Sequence, residues 1–322
     1  MKIIINFFIN TFLFLFFTSF LFLIYAAAWI FIPLAVEEPI GKVIEIPYGY
    51  NSVQIRQLLE GEGIIRSHSY LFQPLTKLLK VDGRLQTGEY QLSSAQNLYQ
   101  VIDQLVQGKV LQYRITIPEG FQAKQIARLL SDREIVNSEV FLSLIKENNQ
   151  YQEGYLFPDT YEFPKNFGAE NVLKAMQKNF AENIYHLINP EQEFPANLNF
   201  QQIIILASII EKEAQGKDDK PKIASVFYNR LAVGMPLQSC ATVQYLLDHP
   251  QQKLTEQDLA IESPFNTYLH SGLPPEPICN PGLDSILAAA FPAQEDYFYF
   301  VLGKEGKHIF SKTYQEHLNN KP

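Results

Sequence analysis

The chain has little of what most cofactor and metal chemistry needs. It carries only two cysteines, Cys240 and Cys279, and six histidines that lie far apart. It contains no CxxC, HExxH, Walker A loop or GxGxxG, so metals and nucleotide cofactors lack their usual anchors, and no cofactor is expected. Gly-x-Ser-x-Gly is absent as well, which removes the signature of the common serine hydrolase. Positive charge is scarce, with 26 Lys and Arg against 34 Asp and Glu for a net charge of -8. That is the wrong sign for binding nucleic acid through counterion release, and it disfavours broad adsorption to anionic lipid.

Charge of either sign is missing altogether from Ile3 to Val36, a run of 34 residues rich in Phe, Leu and Ile. About 20 such residues span a bilayer as a helix. Ala26-Ala27-Ala28 offers a signal-peptidase pattern, but the apolar stretch before it is longer than a usual signal core, and Trp29 to Ile32 continue it. Tyr25 and Trp29 suit a membrane interface. With Lys2 before the run and Glu37 and Glu38 after it, the positive-inside rule puts the amino tail in the cytoplasm and the rest outside. No later run approaches a span; Ile203 to Ile210 is short and interrupted by Ser208. In an oxidising compartment two cysteines permit one disulfide, the alternative being two unpaired buried thiols.

A length of 322 residues suggests two domains besides the membrane segment. Ile46-Pro47-Tyr48-Gly49-Tyr50, followed by Gln54-Ile55 and Leu58-Leu59, recurs 71 residues later as Ile117-Pro118-Glu119-Gly120-Phe121 with Gln125-Ile126 and Leu129-Leu130. Each copy predicts a strand, a Pro/Gly turn and an amphipathic helix; duplication and shared turn chemistry both account for the match. After the first copy the pattern predicts a helix around Ser69 to Lys80, a strand around Gly88 to Leu92, and a helix with Leu98, Val101, Ile102 and Leu105 stopped by Gly108. The expected division is 1–38 for tail and membrane helix, 39–112 for a small α+β module, and 113–322 for a second α+β domain, whose entry is the aromatic loop Tyr151 to Phe163.

Carboxylates are the remaining source of chemistry. Gln202 to Ala214 (QIIILASIIEKEA) predicts a buried helix, with strand as the alternative because of its isoleucines. On a helix Glu213 stacks over Ile209, Ile210 and Leu206 and extends the apolar stripe, whereas Glu211 stacks over Ala207, Ser208 and Ile204. Desolvation of such a carboxyl favours its protonated form, as a general acid requires; the competing reading is a solvated helix end. A second helix is expected over Asp219 to Leu231, with Asp219 as its cap. Polar turns follow at Pro236 to Thr242 and Phe265 to Tyr268, rigid Pro-rich segments at Leu273-Pro274-Pro275 and Asn280-Pro281-Gly282, and a hairpin over Tyr297 to Leu302 and His308 to Ser311.

The segments EGYLFPDTYEF (Glu153 to Phe163), LASIIEKEA (Leu206 to Ala214), IASVFYNRLAVGMPLQS (Ile223 to Ser239) and FNTYLHSGLPPEPICNPG (Phe265 to Gly282) together resemble the YceG-like endolytic murein transglycosylases over nearly the whole chain. The resemblance implies one helix in the bacterial inner (plasma) membrane, a LysM-like α+β module facing peptidoglycan, and an α+β catalytic domain on the extracytoplasmic side. It implies a lyase that cuts the MurNAc-GlcNAc bond within glycan strands and leaves 1,6-anhydro ends, working near glycan-polymerising synthases. Its catalytic glutamate falls on Glu213, with Gln238, Ser239, Asn266, Thr267 and Tyr268 as the expected substrate-binding set. Where some members carry Asp-Pro, this chain has Cys240-Ala241, so an acidic helper is not available there, and a Cys240–Cys279 disulfide is expected to brace the cleft loops. The alternatives are a hydrolase acting on the same bond and a non-catalytic peptidoglycan-binding scaffold.

Overall fold

The computed structural model describes residues 2–35, 39–147, 151–304 and 306–321. Two compact units divide the chain, Met1–Tyr113 and Arg114–Pro322, and each mixes helix with short two-stranded sheets.

The first unit opens with α1 (Lys2–Phe31). Its Ile5–Phe31 stretch is long and apolar enough to cross a membrane, at about 1.5 Å per residue, and its phenylalanines are exposed all round. Then come β1 (Gly41–Ile46), α2 (Ser52–Gly61), α3 (Phe72–Leu78), β2 (Gly88–Ser93) and α4 (Leu98–Val106). β1 and β2 pair antiparallel with Ile44 opposite Tyr90. Strand alternation turns Ile44 and Ile46 inward, where they meet Ile55 and Leu59 of α2, Phe72 of α3 and Val101, Ile102 and Leu105 of α4. Asn51 with Gln54 and Asn97 with Gln100 form capping boxes that start α2 and α4. α3 is shorter than its pattern predicts, because His68 and Lys80 both take left-handed φ (59° and 58°) and break the chain on either side.

The second unit begins within β3 (Tyr113–Thr116) and continues through α5 (Ala123–Ser131), α6 (Ser138–Glu147), β4 (Thr160–Phe163), α7 (Ala169–Ile184), α8 (Phe200–Glu213), α9 (Lys220–Ala232), α10 (Cys240–Gln244), α11 (Glu256–Leu259), α12 (Leu283–Ala290), β5 (Tyr299–Leu302), β6 (His308–Ser311) and α13 (Tyr314–Asn320). The predicted second strand-turn-helix is β3–α5. Its turn glycine, Gly120, has φ 75°, as Gly49 in the first copy has 84°, and Ile126 and Leu130 are buried like Ile55 and Leu59.

α8 is the centre of this unit. Ile203 to Ile210 are all buried, and α9, α10 and α12 pack around them. The isoleucine run therefore folds as helix: an Asn199–Gln202 capping box starts it, and burial on every side outweighs the modest helical cost of β-branching. β5 and β6 form the expected hairpin, Tyr299 opposite Ser311. Asp219 does not cap α9. Its backbone is already helical (φ -80°, ψ -30°), whereas a capping side chain reaches its amides from extended backbone. Its Oδ2 instead meets His308 Nδ1 at 2.8 Å and ties β6 to the start of α9.

Candidate active site

The last turn of α8 delivers Glu213, and Ala214 leaves the helix with ψ 139°. Glu213 Oε1 accepts from Ser239 Oγ at 2.5 Å and from Ala241 N at 3.3 Å. Oε2 has no hydrogen-bond partner among the described residues. Apolar periodicity predicts burial for Glu213, yet it is only half-buried, because α8 stops there and the stripe ends with it.

Ser239 is held from behind. Its N–H donates to Thr267 Oγ1 at 3.0 Å, its carbonyl accepts from Thr242 Oγ1 at 2.8 Å, and the two threonine hydroxyls meet at 2.9 Å. Gln238 N donates to Thr267 O at 3.0 Å, and Gln238 itself takes a left-handed φ of 49°. Such backbone in a non-glycine residue costs on the order of 1 kcal/mol and clusters at functional sites. Arg230 clamps the preceding segment: Nε donates to Phe298 O at 2.7 Å and an Nη to Leu237 O at 2.8 Å, with the guanidinium 5.2 Å from the Tyr299 ring centre.

The expected binding set divides in two. Gln238 is exposed and Tyr268 half-exposed, so both can meet a ligand. Asn266 cannot, because it is fully buried, its amide donates to Leu259 O (3.0 Å) and Ile261 O (2.8 Å), and its carbonyl accepts from Tyr268 N (3.0 Å). Thr267 and Ser239 are likewise buried, and their hydroxyls bond to Thr242 and Glu213.

The expected disulfide is not formed; both cysteines are free. Cys279 is sealed, its thiol donating to Ser208 O at 3.3 Å. Cys240 lies at the Glu213 end, its Sγ 3.0 Å from Tyr268 OH. Ser208 and Glu213 are five residues apart, about 7.5 Å along the helix axis, so the two sulfurs are committed to different stretches of α8. Burial pushes the Cys240 thiol and the Tyr268 phenol above their ordinary values, so both are neutral near pH 7.

Glu211 faces elsewhere. Its Oε2 accepts from Ser285 Oγ (2.6 Å), Gly282 N (3.0 Å) and Lys220 Nζ (3.2 Å). The Glu211 and Lys220 side chains are only 9% and 8% exposed, so this carboxylate is used through Oε2 to join α8, α9 and α12. Lys220 also lies 3.9 Å from Glu119, whose carboxyl is pushed up by burial and by the Glu211 charge.

Sequence reasoning missed the buried hub of Glu153 and Asn280. Glu153 Oε1 accepts from Ala123 N at 2.7 Å and Asn280 Nδ2 at 2.9 Å, and burial raises its pKa to about 7. Asn280 Oδ1 accepts from Gly154 N (2.8 Å) and Leu156 N (3.0 Å), and its Nδ2 donates to Phe121 O (3.0 Å). A Cβ on Gly154 (φ 91°) would lie 2.7 Å from both Ile204 and Pro277. The signal was present in the Glu-Gly and Asn-Pro-Gly steps, but pairing them needs the tertiary structure. No cluster among the described residues could hold a metal ion.

Glu213 thus stands at the end of a buried helix, bonded to Ser239, which Thr242 and Thr267 hold in turn. A family model described as YceG-like covers residues 44–322. The chain belongs to the YceG-like family. A Bacillus subtilis relative named endolytic murein transglycosylase is 34% identical over 299 residues, 85% of this chain and 82% of its own length. A Streptococcus pneumoniae protein of the same name is 29% identical over 86% of this chain, which spans 57% of that longer relative. The crystal structure of a YceG-like protein from Listeria monocytogenes superposes with a TM-score of 0.56 at 34% identity, over 89% of this chain and all of that one.

Proposed function

We propose that this YceG-like protein is an endolytic lytic transglycosylase of peptidoglycan, anchored by α1, with Glu213 as its single acid and base. The observation that carries this reading is the division of labour on one carboxyl group: Oε1 is held by Ser239 and Ala241, and Oε2 is open. A proton on Oε2 passes to the glycosidic oxygen between MurNAc and GlcNAc as the C1–O bond breaks. The carboxylate then takes the proton of the muramic 6-hydroxyl while that oxygen bonds to C1. The 1,6-anhydro product forms, the glutamic acid is restored and no water is consumed, so the second carboxylate of an ordinary glycosidase is not needed. A serine hydroxyl both donates and accepts, so Ser239 fits either state of Glu213.

In this reading the exposed Gln238 amide and the Tyr268 hydroxyl hold sugar acetamido and hydroxyl groups, while Asn266, Thr267 and Thr242 hold the holders. Glycan strands as substrate place the second unit on the extracytoplasmic side. The LysM-like character of residues 39–112 and an association with glycan-polymerising synthases belong to the same proposal and rest on the sequence resemblance alone.

The test is mass spectrometry of products after incubating the protein with uncrosslinked glycan strands, beside Glu213→Gln. Anhydro-muramic ends that disappear in a folded Glu213→Gln protein are expected. Reducing ends would show a hydrolase instead, and no cleavage by the wild type would leave a scaffold.

A further inference from the structure

The carboxyl end of α1 is built into the first unit. Ile30 packs against that unit's core, and the Phe31 ring lies 6.2 Å from Tyr99 of α4. Arg66 reaches back to the helix end, donating to Trp29 O at 3.3 Å and Pro33 O at 3.0 Å, with its guanidinium 5.2 Å from the Trp29 ring centre. Carbonyls at a helix end lack partners and carry partial negative charge, so this arginine is a matched clasp. Beyond it, Ala35 N donates to Ser94 O at 3.0 Å and Ile40 N to Ser94 Oγ at 2.8 Å. One serine therefore ties the backbone on both flanks of residues 36–38.

The groups gathered around this end share one chemistry. Tyr25 and Trp29 sit together on the last turns of α1, their rings 5.9 Å apart. Tyr99 is 41% exposed and Tyr70 is 72% exposed. The loop from Arg66 to Tyr70 is rigid where it matters: Ser69 N donates to Glu60 Oε1 at 2.6 Å, which also accepts from Arg56 at 2.7 Å. His68 holds its left-handed φ of 59°, and Tyr70 N donates to His68 O at 2.7 Å, which leaves the Tyr70 ring outward. Rings with an apolar body and a polar tip, standing around the exit of an apolar helix, suit the boundary between acyl chains and headgroups.

We propose that the Arg66 to Tyr70 loop and the first turn of α4 form a collar that lies in the phospholipid headgroup layer of the bilayer α1 crosses. The first unit is then held flush against the membrane rather than on a loose tether. This rests on α1 spanning the membrane, and continuity with α1 identifies the occupant as lipid. The Pro47 to Tyr50 turn provides an internal contrast. It lies at the other end of β1 from Ile40, about 20 Å away at 3.4 Å per residue, and its Tyr48 is 96% exposed and remains in water.

The chain's single tryptophan makes depth measurable on the full-length protein in phosphatidylcholine vesicles. Wild-type Trp29 fluorescence is expected to be quenched by lipid brominated near the glycerol end of its acyl chains. In a Trp29→Phe background, Tyr70→Trp and Tyr99→Trp are expected to be quenched by that lipid roughly twofold or more beyond Tyr48→Trp, and less by aqueous acrylamide, as headgroup-level aromatics should be. Tyr70 is exposed enough to accept the probe without disturbing the fold. Bromolipid quenching of Trp29 together with acrylamide access at position 70 equal to that at 48 would overturn the collar while leaving the span intact. Absence of bromolipid quenching of Trp29 itself would overturn the span and the collar together.

Discussion

Ser239→Ala tests the site most directly, because the structure isolates what is lost. The substitution removes one hydroxyl whose only acceptor among the described residues is Glu213 Oε1, at 2.5 Å. The backbone that carries it stays fastened, since Thr267 Oγ1 still accepts from residue 239 N and Thr242 Oγ1 still donates to its carbonyl. A hydrogen bond to a charged group is worth about 1.5–3 kcal/mol, and each ~1.4 kcal/mol of barrier is tenfold in rate. Ala241 N–H at 3.3 Å remains and retains part of the orientation, so the lower half of that range applies. The expected loss is about tenfold to thirtyfold in kcat for anhydro-end formation, with KM and melting temperature near wild type. Ser239→Thr, which keeps the hydroxyl, is expected to recover part of the loss. A Ser239→Ala protein that cleaves glycan strands within twofold of wild type would refute the claim that Glu213 is aimed from this side.

Three further outcomes follow from groups away from the open oxygen. Glu211→Gln leaves Lys220 without its closest buried partner and should destabilise the second unit by about 3 kcal/mol, the usual cost of breaking a buried ion pair; an unchanged melting temperature in thermal unfolding would contradict this. Glu153 has a folded pKa raised to about 7 from 4.5. The folded state therefore holds this proton more tightly than the unfolded chain, and its contribution is fully present below about pH 4.5 and lost as pH rises through about 7. That amounts to about 3 kcal/mol, so Glu153→Gln, which keeps the accepting oxygen, should flatten the fall in stability between pH 5 and 8; parallel wild-type and variant curves would exclude it. A thiol reagent should find one reactive cysteine in the native protein, Cys240, and a second, Cys279, only after unfolding; two thiols reacting at the same native rate would contradict the burial of Cys279.

Much of the fold could be read in advance because local chemistry and tertiary packing agree. The 71-residue echo identified two strand-turn-helix units, and each turn glycine does take positive φ. The limits of α3 escaped, since nothing in Ser67-His68-Ser69 announces a left-handed histidine. Asp219 was misread for a related reason: capping is a property of backbone geometry, and a carboxylate one residue into helical φ/ψ finds another partner, here His308. The disulfide failed because cysteine count speaks to compartment and not to distance. Asn266 and Thr267 were recognised as important polar groups, but a sequence cannot say whether an amide faces a ligand or, as here, its own backbone.

The placement of the two glutamates follows from helix geometry once burial is known. At 3.6 residues per turn, positions two apart are separated by about 200°, so Glu211 and Glu213 must face opposite sides of α8. One side of the last turn meets α9 and α12, and there Glu211 collects a lysine, a hydroxyl and an amide on one oxygen. The other side meets the turn before α10, and there Glu213 receives one hydroxyl and one amide on Oε1 and keeps Oε2 open. The apolar stripe predicts Glu213 as the more buried of the two, and the structure reverses that order of burial. The Glu211 side chain, 9% exposed and bonded to Lys220, Ser285 and Gly282, fastens the helix, and the half-buried Glu213 at its end is the more accessible of the two. Exchanging their surroundings, by Ser239→Ala on one side and Ser285→Ala on the other, should separate the roles: the first lowers turnover with stability kept, and the second lowers stability with the Glu213 contacts intact.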